Sequence, residues 1–114
     1  MYMNFTLTVG TTAARLLGLL KGTETFAGAS VSKAYPGAIL PNGCQRITFQ
    51  AHPDNGGRIF IGDGDVSSTN CGLLLEGAQV QFKECGHGFN DIPLGFFVRG
   101  SAASQVVNIQ IEYA

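Results

Sequence analysis

Apolar and polar positions alternate in short runs along this chain, and glycine or proline separates one run from the next. Phe5, Leu7 and Val9 alternate with Thr6 and Thr8, the two-residue period of a strand that buries one face. Gly10 ends that run. Ile47, Phe49 and Ala51 alternate with Arg46, Thr48 and Gln50 and predict a second strand. His52-Pro53-Asp54-Asn55-Gly56-Gly57 is a turn sequence,, and Ile59 to Ile61 follows it, so the segment is expected to fold as a hairpin. Gly62-Asp63-Gly64-Asp65 and a polar stretch through Ser67 and Asn70 lead to a run at Leu73, Leu74 and Leu75. A Glu76-Gly77 turn then precedes an alternating strand in Ala78, Val80 and Phe82. Later strands are expected over 94–99, containing Phe96, Phe97 and Val98, and at the end of the chain. There Val107, Ile109, Ile111 and Tyr113 occupy one face and Val106, Asn108, Gln110 and Glu112 the other.

One segment has a helical period. Ala13, Leu16, Leu17 and Leu20 follow i, i+3, i+4, i+7 spacing, predicting a helix over 12–21 with Thr12 as N-cap and Gly22 as stop,. Beyond it, small residues with Gly28, Pro36, Gly37, Pro41 and Gly43 predict a long loop or arm at about 22–44, with a weak strand near 29–33. Tyr35, Ile39 and Leu40 are its packing anchors, and it either lies on the body or reaches a neighbour. All four prolines fall between runs, as a sheet protein requires. The pattern predicts an all-β, single-domain, jelly-roll-like β-sandwich over 1–114, with about seven or eight short strands and one short helix near the N-terminus.

Charge changes the picture most. Only 13% of residues are charged, against about a quarter in a typical globular domain, so some of the surface is expected to lie against neighbours. Net charge is −1 and the basic residues are scattered. Nucleic acid, which calls for a basic stripe, is not an expected partner. Cys44, Cys71 and Cys85 stand far apart, which argues against a disulfide framework or a zinc ribbon and for reduced thiols made in a cytoplasm. The longest apolar run, Leu16 to Leu20, is interrupted by Gly18 and is far short of a membrane span. A soluble chain with no membrane partner is expected.

The candidate chemistry is thin. Asp63-Gly64-Asp65 resembles the start of a calcium loop, but the twelfth position, where a bidentate acid belongs, is Leu74,. A looser cation site using Asp63, Asp65 and Glu76 stays open. Cys85 and His87, with His52 from another loop, lack the second close pair of a structural zinc site,. A hydrolase built on Asp63, Asp65 or His87 would need a cleft and an activated nucleophile. The chain carries no nucleophile elbow, no HExxH and no phosphate-loop lysine,. No enzyme is expected, and no catalytic, cofactor or metal residue is assigned.

The β-run ending Ile61-Gly62-Asp63, the turn with Val66-Ser67, Gly72-Leu73-Leu74-Leu75-Glu76-Gly77 and the Phe97-Val98-Arg99-Gly100-Ser101 segment together resemble small virion proteins of tailed bacteriophages, most of all capsid decoration (cement) proteins. The resemblance covers roughly 45–113 and the strand at 6–12. Ala13 to Gly43 departs from it, since shorter relatives turn quickly from the first strand to the second. The resemblance implies a jelly-roll-like module on the outside of a capsid that binds the major capsid protein, often as a trimer, and reinforces the shell. It carries over no functional residue, because the pattern defines a scaffold. Made in the host cytoplasm, such a protein would end on the virion surface. The alternative is a head-fibre or tail-associated module that binds a host receptor or glycan, with Tyr35, Phe89 and Phe96 as its aromatic candidates.

Overall fold

Two antiparallel sheets face each other across one hydrophobic core. The computed structural model describes residues 2–35, 44–84 and 96–113. In chain order the elements are β1 (Tyr2–Val9), β2 (Ala14–Arg15), α1 (Leu16–Lys21), β3 (Ser30–Val31), β4 (Cys44–Ala51), β5 (Ile59–Gly62), β6 (Leu73–Leu75), β7 (Val80–Glu84), β8 (Phe97–Gly100) and β9 (Gln105–Tyr113). Sheet A has the order β3-β1-β9-β4-β7 and sheet B the order β2-β8-β5-β6. With β3 set aside, β1, β2, β4 and β5 pair in turn with β9, β8, β7 and β6. This is one long antiparallel hairpin rolled over two sheets, the jelly-roll connectivity.

The alternation in the long strands explains the core. Phe5, Leu7 and Val9 of β1, Ile47, Phe49 and Ala51 of β4, and Val107, Ile109, Ile111 and Tyr113 of β9 are all buried. They meet Ile59 and Ile61 of β5, Leu75 of β6 and Val98 of β8 from sheet B. A bulge at Gln45 shifts the β4 register so that Cys44 lies opposite Tyr113,.

The predicted helix begins later than the spacing implies. Ala14 and Arg15 pair with Val98 and Phe97 as β2, and Leu16 donates its N–H to the Phe96 carbonyl at 2.9 Å. Extended pairing therefore replaces the first turn, and Thr12 is exposed and not a cap. Gly22 does end the helix, at φ 70°. Its N–H donates to Leu19 and that of Thr23 to Gly18, the paired bonds of a Schellman motif. Leu16, Leu17, Leu19 and Leu20 are all buried. α1 contacts both β2 and β3, edge strands of opposite sheets, and so closes that side of the sandwich. The segment after β3 is tied back to it by a hydrogen bond from Tyr35 N–H to the Leu20 carbonyl.

The hairpin expected between β4 and β5 does not form, because the two strands lie in different sheets. β4 already has a neighbour on each edge, β9 and β7, so no pairing position remains for β5. The connecting segment is a corner pinned to β9: the Asn55 amide donates to the Val106 carbonyl at 2.7 Å and accepts the Val106 N–H at 2.8 Å. Ala78, read as a strand residue, is instead a turn residue at φ 64°, and its N–H donates to the Ala51 carbonyl at 3.0 Å.

Candidate functional site

The Asp63 to Gly72 loop, so prominent in the sequence, covers the outside of sheet B. Ile59 and Ile61 belong to the main core, so Phe60 between them faces the other way,. Phe60 and Val66 are nevertheless 4% and 1% exposed, a small second core outside the sandwich. Arg99, directly across from Phe60, holds this loop by donating from Nη1 to the Val66 carbonyl at 3.2 Å. The glycines here serve close approach: a Cβ on Gly62 would meet Val66 Cγ2 at 3.1 Å.

Asp63 and Asp65 are both exposed. Asp63 Oδ1 accepts the Asp65 N–H at 3.0 Å, an Asx turn in which the first aspartate shapes the loop. Glu76 pairs with Arg58 at 2.8 Å and not with the aspartates. His52 uses Nδ1 to accept the Asp54 N–H at 3.1 Å. Among the described residues no three His, Cys, Asp or Glu side chains converge on a metal-sized site, and no helix is long and apolar enough to cross a membrane. Cys85, His87, Phe89 and residues 36–43 of the arm expected at about 22–44 lie outside the described residues. Phe96 packs edge-to-face on buried Phe49 with centroids 6.0 Å apart, and half-buried Tyr35 lies under the Lys33 ammonium at 5.7 Å. Neither is a free aromatic platform.

The outer face of sheet A has a chemistry that no local motif announces. The register aligns Tyr2, Glu112, Arg46 and Glu84 in one row, Asn4, Gln110, Thr48 and Phe82 in the next, and Thr6, Asn108, Gln50 and Val80 in a third. The second and third rows contain no charged side chain. Gln110 Nε2 donates to Asn4 Oδ1 and Thr6 Oγ1 to Asn108 Oδ1, each at 3.0 Å. Asn4, Thr6, Ser32, Gln50, Asn108 and Gln110 surround a shallow hollow of about 300 Å³.

At one margin of this face the usual pattern is inverted. In β1, β4 and β9 the apolar side chains point into the sandwich. In β7 they point out, with Val80 and Phe82 each 55% exposed, while Gln81 reaches across to donate to the Leu74 carbonyl of β6 at 3.0 Å. Among the described residues β7 is paired on one edge only, to β4. The Arg46 guanidinium lies over the Phe82 ring at 4.6 Å. No protein-family model, curated protein or solved structure matches the chain.

Proposed function

We propose that this protein is a structural component of a phage particle, attached to the outside of the capsid and reinforcing the shell as a decoration protein. The observation that carries the reading is the inverted strand β7, which presents Val80 and Phe82 to solvent on a sheet margin. An edge strand with outward apolar side chains is a template for association, and monomeric proteins normally blunt it with charge or proline. The low charge of the whole chain is in keeping with surface that lies against neighbours. The virion-protein resemblance of the 45–113 segment supports the same reading.

Two side chains cover far less than the ~1,000 Å² of a stable pairwise interface. The attachment is therefore multivalent: copies associate, most simply as trimers, and each trimer engages several major capsid protein subunits, so that modest contacts add in avidity. The test is co-sedimentation of the purified protein with undecorated shells of its phage. Saturable binding is expected, and it should be lost in the Val80→Lys/Phe82→Lys double variant. The variant's stability should change by no more than about 1 kcal/mol, because both positions are surface sites and only the Arg46 stacking is given up. A wild-type protein that leaves the shells bare would overturn the proposal.

A further inference from the structure

We infer that the outer face of sheet A is a binding site for a neutral polysaccharide, centred on Gln50, Asn108 and Gln110 and flanked by Tyr2. The solvated face of an antiparallel sheet is ordinarily polar, but its polarity usually comes from lysine, glutamate and arginine. Here, on β1, β9 and β4, the two central rows hold only primary amides and hydroxyls and end at Phe82 and Val80 of β7, while Arg46, Glu112 and Glu84 belong to the row beside them. Each primary amide offers two N–H donors and a carbonyl with two lone pairs. The bonds from Gln110 to Asn4 and from Thr6 to Asn108 use only part of that capacity, and the same residues line the hollow.

This complement fits a polyol. A sugar hydroxyl donates and accepts at once, and neighbouring hydroxyls on a pyranose ring can be matched by the two ends of one amide. A polyanion would find no cation among the residues of these rows, and an apolar partner would find apolar area only at their β7 end, at Val80 and Phe82. Tyr2 lies two residues along β1 from Asn4 on the same face and is 59% exposed,. It gives the C–H face of a sugar ring an aromatic surface to rest on. The site is extended and open, which suits the side of a chain and not a buried monosaccharide. It borders the Val80 and Phe82 margin, since Val80 lies directly opposite Gln50, while Asn4, Thr6, Asn108 and Gln110 stand on β1 and β9, farther from β7.

The test is affinity electrophoresis of the full chain in native gels. Each gel contains one soluble polymer: dextran, mannan, arabinogalactan or xyloglucan, with chondroitin sulfate as the polyanion. At least one neutral polymer should retard the protein in proportion to its concentration. Gln50→Ala and Asn108→Ala should each weaken that retardation about tenfold, the cost of one hydrogen-bonding side chain. Circular dichroism melts identify any variant that has lost its fold, and Gln50, which does not bond to Thr6, serves as the second probe. Retardation by chondroitin sulfate alone, by none of the polymers, or undiminished in both alanine variants would overturn the assignment. So would adsorption to host envelopes that survives periodate destruction of their sugars, which would give the face to a protein.

Discussion

Asn55 shows how much one side chain contributes here that its local sequence conceals. Its place in His52-Pro53-Asp54-Asn55-Gly56-Gly57 marks a turn, and it does lie in one. Its amide, however, bonds to both backbone groups of Val106, fifty-one positions away, and so acts as a strand edge for β9 where β4 has already left the sheet. The His52 N–H also donates to the Val106 carbonyl at 3.0 Å, so Asn55→Ala chiefly orphans the Val106 N–H. It should cost about 1–3 kcal/mol and lower the thermal midpoint by roughly 5–15 °C. Asn55→Asp, which keeps an acceptor for that N–H, should lose less in the same melt. Asp63 is the contrary case: its bond to the Asp65 N–H is local, and Asp-Gly-Asp in the sequence already implied a shaped turn. Partners close in sequence can be read from the sequence, and partners in another element cannot.

Among the elements, β1, β4, β5, β6 and β9 fall close to where alternation and apolar runs place them, because β1, β4 and β9 bury one face and β5 is buried on both. The failures occur at junctions. The helix loses its first turn to β2, since two residues can gain more by pairing with Val98 and Phe97 than by extending a helix whose cap is exposed. The β4–β5 hairpin becomes a corner for want of a free edge. In β7 the period is correct and its direction inverted, which periodicity alone cannot reveal because a two-residue repeat does not say which face is wet. The connection from β6 to β7 carries Ala78 in the left-handed region, where a Cβ costs roughly 1–2 kcal/mol. Glycine removes that strain and adds unfolded-state entropy, so Ala78→Gly should gain a net 0.5–1 kcal/mol, roughly, seen as a higher urea midpoint at an unchanged slope.

At the scale of the whole molecule, the sandwich class was legible and the division of strands between sheets was not. The amide face was equally hidden: its members come from β1, β4 and β9, and only the register brings them together. The same register makes β9 the common neighbour of β1 and β4, with Tyr2 opposite Glu112 and Val9 opposite Gln105. A nascent chain on the ribosome therefore carries both strands with an open edge until β9 emerges, and neither half of sheet A can close beforehand. Contacts of such long sequence separation fold on the millisecond-to-second scale characteristic of all-β domains, which stopped-flow circular dichroism after dilution from urea should resolve. A ribosome-bound chain halted before Gln105 should remain open to protease, and releasing the remaining strand should protect the whole sheet in one step. Of the sheet A strands, the last to be made thus decides when the fold begins to exist.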